Sequence, residues 1–243
     1  MRLVSLLAFC LTAASACGVD LANAIPTNCR QVAIVESGDW SASTATLRRL
    51  ERADVHARWQ AIGAPMEVML GRRGLGWGIG LHPSTPTSDP HKEEGDRRAP
   101  AGIFDIGTTF GRASREAMPW LHLPYQPLTP TTEAIDDPAS RNYNRLVDRT
   151  KVAKPDWKSS EHMWTIPEYE FGLVVLHNPQ HIPGAGSCIF IHLWTKHDEE
   201  GTAGCTALHR SDLLELLHWL DAAKHPVLIQ LPATVAKEDL SGF

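Results

Sequence analysis

The stretch from Gly184 to Leu208, GAGSCIFIHLWTKHDEEGTAGCTAL, constrains the fold more than any other part of the chain. Its flanking glycines and the β-branched Ile189 and Ile191 predict a strand over Ser187–Leu193. Because side chains alternate across a strand, the two faces of this one differ in character. One face carries Cys188, Phe190 and His192, and the other carries Ile189, Ile191 and Leu193. The second face is apolar throughout, so we expect it to pack into the core.

The strand geometry limits which cysteine His192 can serve. Cys188 and His192 are four residues apart, and four residues span roughly 13 Å on a straight strand. A base must approach its nucleophile to about 3 Å. We therefore expect Cys188 to be either a small buried hydrophobic residue or a disulfide partner of Cys29.

Cys205 has different surroundings. It follows His192 after a loop of twelve residues and lies in the small-residue run Gly201–Ala207. Such a loop is long enough to bring the thiol and the imidazole together, and a neighbouring imidazole activates a thiol. Small neighbours also leave the backbone N–H groups of Ala203, Gly204 and Cys205 free to face a developing oxyanion. The predicted catalytic pair is Cys205 as nucleophile and His192 as base.

Short β-rich segments recur along the rest of the chain. Strands are predicted over Gln31–Ser37, Met66–Leu70, Phe171–His177 and Val227–Leu231. A helix is predicted from Ser211, with leucines at helical spacing until Pro226 ends it. Many strands with one or two helices indicate a mainly β fold.

Two further segments are rich in turn residues. Arg72–Leu81 carries four glycines, but prolines follow it and no helix opens, so the glycines favour close backbone packing over a phosphate-binding loop. Leu121–Pro138 holds four prolines without a clear period and predicts a long loop. Its sequence leaves open whether the loop is a lid or binding wall, or a solvent-exposed connection.

The first residues have the pattern of a secretory signal peptide. A positively charged start precedes the apolar run Leu3–Ala14, which is too short to anchor in a bilayer. Small-residue cleavage motifs end at Ala16 and at Ala24. We expect residues 1–24 to be removed and the protein to be exported to the periplasm or cell envelope. The alternatives are a buried N-terminal helix and a lipoprotein anchored through Cys17.

Length and composition indicate a globular protein and argue against some classes of partner. A length of 243 residues is enough for one good-sized domain, or at a stretch two small ones. The full sequence has 43% hydrophobic and 21% charged residues, which is ordinary for a globular protein. A net charge of −5 without a long Lys/Arg block argues against nucleic acid. No run beyond the signal peptide is long and apolar enough to predict a transmembrane anchor. Three cysteines remain after residue 24, and an odd number suggests a free, reactive thiol.

Metal binding is a weaker alternative for the same region. It is dense in potential ligands: His177, His181, Cys188, His192, His197, Cys205 and His209. However, the sequence has no CxxC pair and no HExxH motif, and the spacings match no common zinc site. We therefore predict no metal and no cofactor.

The segment from His192 to Cys205 resembles the signature of the L,D-transpeptidases, the YkuD-type catalytic domain. That family has a His on a strand, a loop and then Ser/Thr-x-Gly-Cys, which here is Thr202–Cys205. Further motifs follow the family order over roughly residues 30 to 232. They are the glycine-rich turn Gly71–Gly78, the EGD…PAGxF segment Glu94–Phe104, Asp136–Pro138 with Tyr143–Asn144, and Gly184–Ser187 before Ile189–Phe190. The branch is divergent: its His-to-Cys loop is shorter than the familiar one, Ala203 replaces a common His, and Ala207 replaces a common Arg or Asn.

The resemblance implies a β-sandwich-like domain with the Cys and His at one end. It implies that Cys205 attacks the carbonyl of an L-centre in a peptidoglycan stem peptide, typically diaminopimelate, and that the terminal D-alanine leaves. His192 would be the base, and the Leu193 carbonyl is the expected group that orients its ring. The resemblance also implies that carbapenem inhibitors acylate the thiol.

Three functions follow as hypotheses. The first is an L,D-transpeptidase, which passes the acyl group to an amine. The second is an L,D-carboxypeptidase, or an amidase that releases a wall-bound protein, with water in place of the amine and the same pair of residues. The third is a catalytically inactive wall-binding module, against which the presence of both His192 and Cys205 argues.

Overall fold

The computed structural model describes residues 21–83 and 85–239. Only the last four positions of the predicted signal peptide are therefore among the described residues. The rest of it, including Cys17, lies outside them. Leu21 is fully buried in the main hydrophobic core. Packing thus begins before the predicted domain boundary at residue 25.

Thirteen strands and two α-helices are present in the described part of the chain. The strands are β1 (Gln31–Ser37), β2 (Thr44–Glu51), β3 (Gln60–Met69), β4 (Leu75–Trp77), β5 (Ala99–Gly111), β6 (Tyr125–Pro127), β7 (Thr132–Ile135), β8 (Arg145–Asp148), β9 (Glu161–His162), β10 (Phe171–Val175), β11 (Phe190–Leu193), β12 (Thr206–Leu208) and β13 (Val227–Pro232). The helices are α1 (Arg210–Trp219) and α2 (Ala233–Asp239). Within the described ranges, neither helix has the length and apolar character that a membrane crossing requires.

The main sheet closes on itself. Its hydrogen-bonded neighbours run β10-β11-β12-β3-β2-β1-β13-β5, and β5 also pairs with β10, so these strands form a ring. Strands β4 and β6 extend the sheet by parallel pairing with β5. A closed sheet directs alternate side chains of every strand into one core. This architecture confirms the predicted mainly β, β-sandwich-like fold.

The predicted core elements are present, with small shifts of their ends except at β3, which begins at Gln60, six residues before the predicted Met66. The predictions for Gln31–Ser37 and Val227–Leu231 correspond to β1 and β13, which pair in parallel and are almost wholly buried. The predicted helix begins one residue earlier, at Arg210, and ends at Trp219, well before Pro226. It packs onto the main core through Leu213, Leu216 and Leu217. This spacing of three to four residues places the leucines on one helix face.

The predicted strand over Ser187–Leu193 is too long. Strand β11 begins only at Phe190, because Cys188 has a φ of +54°, in the left-handed region that interrupts a strand. The alternation of faces still holds. Cys188 and Phe190 pack in one cluster, whereas Ile189, Ile191 and Leu193 pack in the main core.

The predicted loop over Leu121–Pro138 is wrong in part, because it contains β6 and β7. Strand β7 is buried along its whole length and forms the centre of a small sheet, β8-β7-β9. It ends at Ile135, so Asp136 follows directly at the end of a fixed strand. The part from β7 to Asp137 is therefore packed, whereas the part before it keeps five exposed residues: His122, Pro124, Pro127, Thr129 and Pro130.

The glycines of Arg72–Leu81 allow close backbone packing, as predicted. A Cβ at Gly80 would lie 2.1 Å from the Ile103 oxygen, and one at Gly78 would lie 2.7 Å from the Pro100 Cβ. Both distances are too short for any side chain. The glycines therefore permit this segment to pack directly on β5.

Candidate active site

His192 and Cys205 lie on the same side of two neighbouring strands. Strands β11 and β12 pair in parallel, with His192 opposite Ala207. Cys205 directly precedes β12, two residues before Ala207, and side chains two residues apart share a face. Cys205 also packs in the same cluster as Phe190, which lies on the His192 face of β11. The fold thus brings the predicted pair to one cavity, which both residues line.

His192 is held in one orientation by the backbone. Its Nδ1 lies 2.9 Å from the Leu193 oxygen. Because a carbonyl only accepts, Nδ1 carries the proton of the neutral ring and Nε2 keeps its lone pair. The Tyr169 ring packs edge-on against the imidazole, with 5.5 Å between the ring centroids. Burial lowers the pKa of His192. The Leu193 carbonyl and the charges of Asp198 and Glu168 raise it, but by less. The ring is therefore a neutral acceptor at neutral pH.

The Cys205 thiol is surrounded by backbone groups and is protonated at rest. Its Sγ accepts the Phe190 N–H at 3.3 Å and donates to the Cys188 oxygen at 3.5 Å. Burial raises the pKa of Cys205 and the charge of Glu161 raises it further, while the Phe190 N–H opposes them. Nucleophilic attack by this thiol therefore needs a base that removes its proton.

The turn before Cys205 is closed by Thr202. The Thr202 hydroxyl donates to the Cys205 oxygen at 2.7 Å and accepts the Gly204 N–H at 3.0 Å. The Gly204 N–H is therefore occupied, and the expectation that it is free for an oxyanion is wrong. Among the described residues, the N–H groups of Ala203 and Cys205 have no such partner, so they remain the candidate oxyanion donors.

The cavity over the pair has a volume of about 550 Å³, and three carboxylates form one part of its lining. This acidic wall consists of Glu94, Asp136 and Glu161. Glu94 accepts hydrogen bonds from the hydroxyls of Ser187, at 2.7 Å, and Tyr143. The Asp136 Oδ1 is buried and has no hydrogen-bond partner within the described ranges. The site therefore combines a thiol, an imidazole and a concentration of negative charge.

Glu161 is a site residue that sequence reasoning missed. It lies in the two-residue strand β9, which pairs with β7, and its Oε2 accepts the Tyr169 hydroxyl at 2.7 Å. Burial raises the pKa of Glu161 to about 7, and the charges of Asp136 and Glu94 act in the same direction, whereas the Tyr169 hydroxyl opposes them. A strand of two residues has no readable period, so no sequence pattern pointed to this position.

The three described cysteines are free thiols. Cys29 lies in the main core and donates to the Gln31 oxygen at 3.2 Å. Cys188 lies in the other cluster and donates to the Ile135 oxygen at 3.4 Å. The alternative of a disulfide between Cys29 and Cys188 is therefore wrong. Cys188 is a small, buried residue of the cavity floor.

The neighbouring histidines have other surroundings. His177 is buried, with its Nδ1 accepting the Ile79 N–H at 3.2 Å and its Nε2 2.9 Å from the Ala185 oxygen. Burial lowers the pKa of His177 to about 4. His209 stacks on Trp194. Across residues 21–83 and 85–239, no group of three or more His, Cys, Asp or Glu side chains is arranged to hold a metal ion.

Comparison with protein families agrees with this arrangement. Residues 52–229 match the family described as "YkuD: L,D-transpeptidase catalytic domain". The match covers well over half of the chain, so the protein belongs to the L,D-transpeptidase family. No curated protein matches the chain.

One solved structure shows a distant similarity. It is the crystal structure of the helical cell shape determining protein Pgp2 from Campylobacter jejuni, with 15% sequence identity and a TM-score of 0.40. The similarity covers 87% of this chain and 54% of that one. The present chain thus spans about half the length of that protein.

Proposed function

We propose that the protein is a peptidoglycan L,D-transpeptidase that works through a thioester on Cys205, with His192 as general base. The observation that carries the proposal is that His192 on β11 and Cys205, which directly precedes the paired strand β12, line one cavity. The contact between His192 and the Leu193 oxygen supports the role of base, because it leaves Nε2 unprotonated.

The first half-reaction forms the thioester. The Cys205 Sγ attacks the carbonyl carbon of the bond between the L-centre of a stem peptide and its terminal D-alanine. The His192 Nε2 takes the thiol proton while the carbonyl oxygen becomes an oxyanion. The C–N bond then breaks with its electron pair going to nitrogen, and His192 returns the proton to the departing amine.

The backbone of the turn supplies the oxyanion donors in this proposal. The N–H groups of Ala203 and Cys205 are the candidates, since the Gly204 N–H bonds to Thr202. The Thr202 hydroxyl also bonds to the Cys205 oxygen and so fixes the conformation in which the two N–H groups are presented. Donors fixed before the reaction are the ones that stabilise a transition state most effectively.

The second half-reaction decides the product. An amine of another stem attacks the thioester carbonyl, His192 takes the amine proton, and the C–S bond breaks with the electron pair and the proton returning to sulfur. The result is a cross-link. Water in place of the amine would give an L,D-carboxypeptidase or an amidase, which is the alternative function of the same residues.

Purified peptidoglycan fragments test the proposal directly. Disaccharide tetrapeptides incubated with the enzyme should give cross-linked dimers that have lost one D-alanine, detected by mass spectrometry. Tripeptide monomers alone would indicate the carboxypeptidase instead. The matched control is Cys205→Ser, which should give neither product. Unchanged fragments after incubation with the folded wild-type enzyme, or equal product from the control, would refute cysteine catalysis.

We also propose that the protein acts in the periplasm or cell envelope. Peptidoglycan lies outside the cytoplasmic membrane, and residues 1–24 have the signal-peptide pattern. Lipidation at Cys17 is the alternative to release of a soluble mature chain. The mass of the mature N-terminal peptide distinguishes the two, because a lipid adds the mass of its acyl chains.

A further inference from the structure

Lys92 lies beside the turn of Cys205 and has no part in the mechanism above. Its side chain is only 3% exposed, although it carries a charge. Its Nζ donates to the Glu93 oxygen at 2.7 Å and to the Asp96 carboxylate. The same carboxylate accepts the N–H groups of Glu93 and Arg98, at 2.8 Å and 2.9 Å. These contacts hold the ammonium in one position.

Two glycines of the active site lie against this lysine. A Cβ at Gly204 would lie 3.7 Å from the Lys92 Nζ, and a Cβ at Gly186 would lie 3.0 Å from its Cγ. Gly204 directly precedes Cys205 and has a φ of +148°. Lys92 therefore packs against the backbone segment that carries the nucleophile.

The charge of Lys92 matters because the cavity is otherwise acidic. The cavity lining includes the carboxylates Glu94, Asp136, Glu161, Glu168 and Asp198. Within the described residues, Lys92 is the only lysine or arginine that lines it. Carboxylates oppose the formation of a thiolate or an oxyanion near them, and an ammonium favours it. Besides the imidazolium that forms at His192 when it takes the thiol proton, Lys92 is therefore the cation of this lining that can offset the carboxylates.

We propose that Lys92 is a positioning residue for the cysteine chemistry. Its ammonium, fixed by Glu93 and Asp96 beside Gly204, stabilises the negative charge that forms at Cys205 during attack. This inference rests on the proposed function, because it takes Cys205 as the nucleophile. The titratable and charged groups around the thiol are Glu161, Asp198, Lys92, His192, Tyr169 and Cys188.

The pH dependence of Cys205 alkylation tests the role without any substrate. Iodoacetamide labelling is followed by peptide mapping over the range from about pH 7 to about pH 9, below the raised pKa of Cys205. In this range the labelling rate follows the thiolate fraction, so Lys92→Met should reduce the rate about ten-fold at each pH, which corresponds to a rise of about one unit in the thiol pKa. Lys92→Arg keeps the charge and should restore most of the rate. Lys196→Gln removes an exposed charge from the loop between His192 and Cys205 and should leave the profile unchanged.

A second variant serves if Lys92→Met does not fold. Lys92→Gln removes the charge but keeps a side-chain N–H that can donate to the Glu93 oxygen and to Asp96, so it should show the same reduction in rate. A folded neutral variant with the wild-type rates would overturn the inference, as would Lys92→Arg behaving like Lys92→Met. If the rates fall as expected but the enzyme forms no peptidoglycan product, the role of Lys92 stands and the proposed function fails.

Discussion

The Nδ1 atom of His192 lies 2.9 Å from the backbone oxygen of Leu193. The strand that carries the proposed base therefore also orients its ring, and no third side chain is needed to select the tautomer. Burial lowers the pKa of His192 and raises that of Cys205, so both groups are neutral at rest. In the proposed mechanism, a proton therefore passes from the thiol to Nε2 as the carbon–sulfur bond forms.

The first prediction concerns this proton transfer. The intact enzyme should gain the mass of one carbapenem, attached at Cys205. His192→Ala should slow this acylation about 100-fold or more at neutral pH, because general-base catalysis typically contributes that much. Raising the pH should partly rescue the variant by forming thiolate without a base. In the wild type, the midpoint of the loss of acylation rate at acid pH should lie below pH 6.5, because the pKa of His192 is lowered.

Intact-mass kinetics across pH measures all of these outcomes. If His192→Ala acylates as fast as the wild type at neutral pH, His192 is not the base. His197, which lines the same cavity, would then be tested next.

The second prediction separates the two cysteines of the cavity. Cys205→Ser should lose nearly all activity, because a hydroxyl in its place is a much weaker nucleophile. Cys188→Ala should keep substantial activity and lose about 1 kcal/mol of folding stability, since the Cys188 thiol packs in a cluster and donates to the Ile135 oxygen. Product formation and urea unfolding of each variant provide the measurement. Equal loss of activity from both changes would show that Cys188 has a direct role.

Much of the site could be predicted because it lies in one continuous segment. The alternation of side chains between Ile189 and Leu193 placed His192 on the face opposite the core, and the clusters agree with it. The orienting role of the Leu193 carbonyl was expected from the family resemblance, and the hydrogen bond is present. The exact start of β11 could not be predicted, because the positive φ of Cys188 is imposed by tertiary contacts such as its N–H bond to the Asn144 side chain.

The acidic wall could not be predicted for a different reason. Glu94, Asp136 and Glu161 come from three segments that are far apart in sequence, and only the packing of β7 and β9 beside the Cys205 cavity brings them together. The hydrogen bond of the Gly204 N–H could not be predicted either, since its acceptor is the Thr202 hydroxyl, whose position depends on the side-chain rotamer. Pairing of distant segments and side-chain rotamers are not encoded in local periodicity.

The third prediction concerns the turn at Gly204. A Cβ there would lie 3.0 Å from the Arg98 oxygen, at a φ of +148° that other residues rarely adopt. Gly204→Ala should therefore displace the turn and reduce the acylation rate of Cys205 by about ten-fold or more, with a strain of about 1–3 kcal/mol. Gly38→Ala is the matched control, because nothing lies within 4 Å of a Cβ at that position. Comparable rates for the two variants would mean that the turn tolerates a side chain.

The fourth prediction concerns the mature N-terminus. Of the two cleavage motifs, the one ending at Ala24 would remove Leu21, which is fully buried in the main core. Full burial of a leucine contributes about 1.5–3 kcal/mol. We therefore expect cleavage after Ala16, earlier than the boundary expected from sequence, so that Leu21 is retained. Mass spectrometry of the exported protein should show Cys17 as the first residue, and a start at Ile25 would contradict this.

The last prediction follows from the partly buried carboxyl of Glu161. Burial raises its pKa to about 7 from an ordinary 4.5. Between these values the folded protein holds a proton that the unfolded chain has released, so the stability from this group is complete below pH 4.5 and is lost as the pH rises through 7. The loss is at most about 3 kcal/mol, and partial exposure reduces it.

Glu161→Gln cannot ionise and should therefore lose less stability than the wild type as the pH rises. Urea unfolding at about pH 5 and about pH 7.5 measures the difference, with the exposed Glu67→Gln on β3 as the matched control. In the control, the change between the two pH values should equal that of the wild type. If Glu161→Gln also loses stability in parallel with the wild type, the Glu161 carboxyl is already ionised at pH 5 and burial does not raise its pKa.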